Sequence, residues 1–572
     1  MSWKANYQHW IDYPHLDPTL KQQLQALQDN PAQLEEYFYA PMEFGTAGMR
    51  GVIAPGIHCM NIYTVRQATE GLARFMDTLT TSDKQRGVAI SFDSRYNSTL
   101  FAEEAARVLG QHQIPVYLFD SLRPTPELSF AVRYLQSYAG IMITASHNPA
   151  QYNGFKIYGP DGGQMPPKES DLITQYVRAA DNVFAISVSD LHEMRQQNLL
   201  TMIGEDVDQA YLHEIKSVSI DTNLLQTHAQ MRFVYTPLHG TGKMLAERVF
   251  RQAGLTNMQL VKEQAILDPE FATVKFPNPE FPETFDLSIR DGKQVAAPVL
   301  IATDPDADRL GAAVRQPDGE YQLMTGNQIA CVLLEYILSA KQRLHTLPAN
   351  GVVVKSIVST EMATKIAQNY QVQMINVLTG FKFIAEQIEQ FEATQAHEFL
   401  FGFEESYGYL IKPFVRDKDA IQASLLLAEV AAYYKSQNQT LYDGLQALYQ
   451  KYGYFQEKTF SKSFTGVDGP KHMRQLMTEF RTNNPHEING TKVVSVQDFQ
   501  LGQQLNADGS KQKLNLPTSN VLKFWLADDT WIAVRPSGTE PKIKNYVGVS
   551  DPTQNGATEK LAAYSEAVES WY

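Results

Sequence analysis

Two cysteines, Cys59 and Cys331, are all the thiols in this 572-residue chain. They are too few for a disulfide framework and lack metal-ligand spacing, so buried core positions are expected for both. Long apolar runs are missing as well. No stretch approaches the ~18 apolar residues of a membrane span, and the opening MSWKANYQHW lacks the apolar core of a signal peptide. A cytoplasmic protein without a membrane partner is expected. Basic charge is in deficit, 49 Lys and Arg against 63 Asp and Glu for a net charge of -14. That balance opposes nonspecific attraction to nucleic acid, and it makes an anionic ligand depend on local basic clusters. The phosphate loop Gly-x4-Gly-Lys-Ser/Thr and the dinucleotide fingerprint Gly-x-Gly-x-x-Gly are also absent, so neither ATP nor NAD is implied.

The chain is long enough for roughly four units of ordinary domain size. With 43% apolar and 20% charged residues, each can bury a core under a wet surface. A pattern of apolar run, polar turn, amphipathic helix and second apolar run occurs three times. Residues 88–92, 99–110 and 114–119 make the first copy, 233–235 and 243–254 open the second, and 352–354 and 361–371 open the third. Gly110 and Gly254 stand where helix C-caps are expected. Each copy adds an apolar strand ending in polar residues: 140–144 before Ala145-Ser146-His147-Asn148-Pro149, 299–302 before Thr303-Asp304-Pro305-Asp306-Ala307-Asp308-Arg309, and 399–403 before Glu404-Glu405-Ser406. Strand ends are where open α/β sheets put ligands. The expectation is three similar mixed-sheet α/β domains (1–205, 206–318 and 319–454) and a C-terminal α+β domain (455–572) around a central cleft. Segments 186–206, 315–321 and 451–463 read as the connections.

Asp304, Asp306 and Asp308 crowd three carboxylates into five residues, and such charges repel unless a cation or solvent relieves them. Pro305 keeps the segment out of a helix. An exposed acidic turn would need no metal, but the preceding apolar strand and the attached Arg309 argue against one. An EF-hand would want Gly and Glu where Arg309 and Arg315 stand. All-oxygen ligands favour magnesium over zinc.

Ser146 follows its strand directly, and Asn148-Pro149 enforces a turn that would expose its hydroxyl. Alone, such a serine would only satisfy turn backbone. No Gly-x-Ser-x-Gly elbow surrounds it. His147 is a candidate catalytic residue but is expected to be poorly placed as a triad base, because neighbouring extended side chains point apart. A phosphoserine beside a carboxylate-held cation fits better. Lys156 could hold a phosphoryl oxygen or exchange a proton, or could simply be exposed. Glu404 and Ser406 suit sugar hydroxyls, or a helix cap. Arg535, Ser537, Gly538 and Thr539 make a phosphate cradle of cation, hydroxyls and glycine backbone.

Together with Phe44-Gly45-Thr46-Ala47-Gly48-Met49-Arg50-Gly51, these four loops, in this order, resemble the alpha-D-phosphohexomutase family, whose four-domain members move phosphate between the C1 and C6 oxygens of a hexose. The resemblance implies a phosphorylated Ser146 that ligates magnesium with Asp304, Asp306 and Asp308, and sugar contacts from Glu404 and Ser406. It adds Arg50 and Lys156 beside the serine, Thr379-Gly380 as a further sugar-facing loop, and Lys418 near the base role. It also implies sugar phosphates as the only partners, with glucose 1,6-bisphosphate as intermediate and activator. Bacterial phosphomannomutases often carry histidine two residues after the sugar-loop serine, where Gly408 stands here. That favours interconversion of glucose 1-phosphate and glucose 6-phosphate, and leaves proton transfer to Lys156 or Lys418. Mannose and pentose phosphates stay open as substrates, as does a metal-dependent sugar phosphatase.

Overall fold

The computed structural model describes residues 2–44, 48–464, 469–537 and 542–572. Two compact units form: Met1–Ile329, Ala385–Gly402 and Ser406–Leu441 make the first, and Ala330–Ile384, Phe403–Glu405 and Tyr442–Tyr572 the second. No helix among the described residues is long and apolar enough to cross a membrane.

In the first unit the strands Val88–Phe92 and Ala139–Ile143 are buried at every position. Such runs, apolar without alternation, suit strands covered on both faces. The helices Ser98–Gln111 and Thr125–Tyr134 pack on both strands. The sheet order is Met49–Val52, Tyr152–Tyr158, Ala139–Ile143, Val88–Phe92, Val116–Phe119, Leu200–Ile203. Its last four strands are parallel and its first two run antiparallel to their neighbours, so the sheet is mixed. Phe92 pairs with Ile143, which starts the loops after those two strands from the same level. Leu200–Ile203 lies within the segment expected to be a connection. Four residues, two of them exposed at a sheet edge, are too few to show a period.

A second sheet in this unit runs Tyr321–Met324, Leu310–Arg315, Val299–Thr303, Phe233–Thr236, Met258–Leu260. Leu310 pairs antiparallel with Thr303, so residues 304–309 are a hairpin turn. The Pro317-Asp318-Gly319 turn, within the expected connection 315–321, is a second hairpin tip in the same sheet. Gly254, at φ +84°, ends the helix Gly242–Gln252 as expected. Gly110 instead lies inside its helix, where a Cβ would come within 2.4 Å of Met194 Sδ. Close packing, not capping, requires glycine there.

In the second unit Gly351–Ser356 and Gln373–Val377 pair in parallel, with the helix Met362–Asn369 between them in sequence. The C-terminal part is an antiparallel sheet, ordered Tyr454–Ser463, Lys542–Asp551, Trp531–Pro536, Leu522–Leu526, Thr491–Asp498, Gln503–Asn506, Lys511–Lys513. Met477 of helix Gly469–Thr482 and Tyr564 and Val568 of helix Gln554–Glu569 join its buried core with Phe524 and Ile532. Tyr454–Ser463 pairs over its whole length, so 451–463 is mostly strand and not a link. Its largely polar, exposed surface hid that role.

Candidate active site

Ser146 stands just past Ala139–Ile143 with φ +52°, in the left-handed region that costs a residue with a Cβ about 1–3 kcal/mol. Its N–H donates to Thr144 Oγ1 at 2.8 Å, and Asn148 N–H donates to Ala145 O at 3.1 Å, which closes the turn. The positive φ overturns the expectation for His147. Adjacent side chains diverge only on extended backbone, whereas here Ser146 Oγ lies 3.1 Å from His147 Nδ1. Burial, then Arg309 and Arg50, hold this imidazole well below its usual pKa, so it stands neutral beside the hydroxyl.

Ser146 is buried, and its Oγ–H donates to Asp304 Oδ2 at 2.7 Å. Asp304, Asp306 and Asp308 are all buried and each offers a carboxylate oxygen within 4.8 Å of the others. Asp306 is held by Thr125, whose N–H donates to Asp306 O and whose Oγ1 donates to Oδ2, both at 2.9 Å. Lys156 pairs with Met142 in the sheet, and its Nζ reaches Asp306 Oδ2 at 2.9 Å and Asp308 at 3.7 Å. Lys156 is therefore buried, not an exposed surface lysine. Lys418 Nζ lies 3.1 Å from Asp308 Oδ2 and 2.9 Å from Asp417 Oδ1, while Tyr158 O–H donates to Asp417 Oδ2 at 2.9 Å. Arg309 Nε lies 3.9 Å from Asp308 Oδ1, and its Nη1 donates to Glu280 Oε1 at 2.7 Å and Ser406 O at 3.1 Å. Arg50 is exposed and donates to Asn148 Oδ1 at 3.3 Å.

This pocket fits a cation. Asp306 Oδ1 and Asp308 Oδ1 are buried with no hydrogen-bond partner, a costly state for anionic oxygens. Burial, then Asp306 and Asp308, push the Asp304 pKa well above the carboxylate range. Asp306 moves the other way: burial raises it, but Lys156 together with hydrogen bonds from Asp304 and Thr125 more than offsets this and keeps it ionised. A hard divalent ion on these oxygens would replace the proton on Asp304.

Gly408 leaves the room that Lys418 occupies, since a Cβ there would lie 2.3 Å from Lys418 Cδ. Gly408→Ala is expected to displace Lys418 and lower kcat roughly tenfold or more, with metal affinity held. Steady-state kinetics and a magnesium titration check it, and an unchanged kcat would remove Lys418 from the chemistry.

Ser406 lies in the first unit, and Thr379, Gly380, Glu404, Arg535 and Ser537 lie in the second. The Glu404 carboxylate accepts from Gly380 N–H at 2.7 Å, and Thr379 Oγ1 is buried without a hydrogen-bond partner. This makes one cluster of Thr379, Gly380 and Glu404, with the glutamate held at the residue just before the helix Phe381–Thr394. Arg535 pairs with Lys544 in the C-terminal sheet, and Ser537 N–H donates to Lys542 O at 2.8 Å. Gly538 and Thr539 lie outside the described residues, as do Gly45, Thr46 and Ala47 of the N-terminal motif.

Residues 41–184, 209–319 and 325–452 match the phosphoglucomutase/phosphomannomutase alpha/beta/alpha domains I, II and III. The chain belongs to this family. A phosphoglucomutase of Staphylococcus haemolyticus (strain JCSC1435) is 38% identical over 519 residues, 90% of this chain and 92% of its own. Another, from Staphylococcus aureus (strain USA300), is 38% identical over 541 residues, 94% of each chain. Among solved structures, a putative phosphomannomutase from Thermus thermophilus shares the fold, with TM-score 0.67 at 23% identity over 93% of this chain and 99% of its own. The expected fold class, three α/β domains followed by an α+β domain, is that of the family.

Within this family member the sequence motifs missed Thr125, Tyr158 and Asp417. Thr125 sits between Pro124 and Pro126, legible as a helix start; its bond to Asp306, 181 positions away, was not. Asp417 adjoins Lys418, and an aspartate beside a lysine carries no sign of which oxygen meets which partner.

Proposed function

We propose that this enzyme is a phosphoglucomutase, interconverting glucose 1-phosphate and glucose 6-phosphate through phospho-Ser146 and a glucose 1,6-bisphosphate intermediate. The observation that carries the reading is a buried hydroxyl 2.7 Å from a triad of carboxylates with unpartnered oxygens, in a chain 38% identical to phosphoglucomutases. Asp304, Asp306, Asp308 and Ser146 would hold magnesium, which would neutralise phosphoryl charge. Thr379, Gly380, Glu404 and Ser406 take the sugar hydroxyls. Arg535, Ser537, Gly538 and Thr539 take the phosphate that is not being transferred, and Arg50 and Arg309 flank the serine and carboxylate loops. The four-domain division at 205, 318 and 454 and a cytoplasmic location belong to the same reading.

In the first half-reaction the free hydroxyl of the sugar attacks phosphorus and the P–Oγ bond of Ser146 breaks, while the ammonium of Lys418 or Lys156 gives a proton to the released Oγ and takes the hydroxyl proton in its place. The bisphosphate reorients, and Ser146 Oγ takes the phosphate from the other end with the proton returned to the departing oxygen. Both transfers are in line, so positioning and charge stabilisation supply most of the rate. The test is a coupled assay of glucose 1-phosphate, mannose 1-phosphate and ribose 1-phosphate with magnesium and a trace of bisphosphate. Glucose 1-phosphate should turn over fastest. Comparable rates on all three would overturn the glucose assignment, and inorganic phosphate released at the rate of turnover would make the protein a sugar phosphatase.

A further inference from the structure

Beneath the serine loop lies a residue that no motif pointed to. Arg95 follows the strand Val88–Phe92, which pairs in parallel with the strand that feeds Ser146. Its side chain is wholly buried. Nη2 donates to Ser146 O at 2.5 Å and to Asn148 O at 2.6 Å, and Nη1 donates to Pro149 O at 2.8 Å and Tyr152 O at 3.0 Å. The remaining donor, on Nε, faces Asp93 Oδ2 at 3.2 Å. Asp93 is fixed in turn by Ser98 Oγ–H at 2.8 Å and by Arg95 N–H at 3.0 Å. Phe271 covers the guanidinium, with its ring centroid 4.9 Å from Arg95 Cζ.

A guanidinium has five N–H donors. Four are spent on loop carbonyls, and the fifth, on Nε, is buried in an ion pair with Asp93 without a hydrogen bond, so none is exposed to a substrate phosphate. We propose that Arg95 is a positioning residue: by gathering the carbonyls of Ser146, Asn148, Pro149 and Tyr152 onto one planar fork, it holds the left-handed turn that presents Ser146 Oγ to Asp304. This rests on the phosphoserine reading above and extends it to a residue outside the contact with substrate. Lysine cannot substitute, because an ammonium has three donors, is compact, and lacks the fork that spans four acceptors. The carbonyls left without donors would turn toward water and carry the serine with them. In-line transfer tolerates little of this, since a displacement of about 1 Å can cost about a hundredfold in rate.

The experiment uses the full chain with Arg95→Lys and Arg95→Met. It reads Tm, kcat and KM for glucose 1-phosphate, and the rate at which glucose 1,6-bisphosphate adds phosphate to Ser146, followed by intact mass. Arg95→Lys should keep the fold and lower both kcat and the labelling rate roughly tenfold or more, with KM within about twofold. Arg95→Met should lower them about a hundredfold if it folds, and if it does not, the lysine variant decides. A lysine variant with wild-type kcat and labelling overturns the proposal, as does one whose KM rises while kcat holds. Wild-type protein that is labelled but does not turn over overturns the mutase reading alone, and the ratio of labelling rates still decides Arg95. Wild-type protein that is neither labelled nor active overturns both.

Discussion

Ser146→Ala should remove turnover, by on the order of 10^4-fold or more, and with it the phosphate mass that wild-type protein gains from glucose 1,6-bisphosphate. The expectation follows from geometry. Oγ is the serine-loop hydroxyl that donates to the carboxylate triad, at 2.7 Å from Asp304. Alanine meets the same left-handed backbone at the same conformational cost, so Tm should change little. Steady-state assay and intact mass on the same preparation check it. Full activity in the variant would falsify the phosphoserine mechanism.

Stripping the divalent cation with a chelator should lower turnover by roughly 10^3-fold or more, because buried phosphoryl charge would then face the carboxyl groups of Asp304, Asp306 and Asp308 without a divalent ion between them. The same treatment predicts a signed pH effect on stability. In the metal-free fold Asp304 is raised by burial and by its two neighbours. Above the ordinary carboxyl range the folded state therefore keeps a proton that the unfolded state has lost, and stability falls as pH rises, by at most about 1.4 kcal/mol per unit. Asp306, held low by Lys156, is ionised in both states across that window and adds no slope. Magnesium held by these carboxylates would displace the Asp304 proton, so the rise in Tm on adding it should be larger at pH 8 than at pH 5. Thermal melts at both values, with and without chelator, measure this, and an equal or smaller rise at pH 8 would remove the proton from Asp304.

The catalytic loops were legible because reactive side chains collected at the ends of apolar strands, where nothing in a core would require them. Asp304, Asp306 and Asp308 stand out on that ground, and the serine loop, alone no more than a turn, takes its meaning from them. What stayed hidden depends on backbone geometry. A positive φ at a non-glycine residue leaves no mark in a sequence, so the approach of His147 to Ser146 could not be read. Arg95 was hidden too, since its partners are backbone carbonyls that every residue carries. Gly110 and Gly254 look alike in sequence, and only the sulfur of Met194 beside one of them tells packing from capping.

The serine and the carboxylates it touches come from different sheets, and the lysine that closes the pocket comes from a third stretch, past residue 400. Lys418 is made long after the serine and the aspartates, so the full set of side chains in this pocket can come together only when about three quarters of the chain has been synthesised.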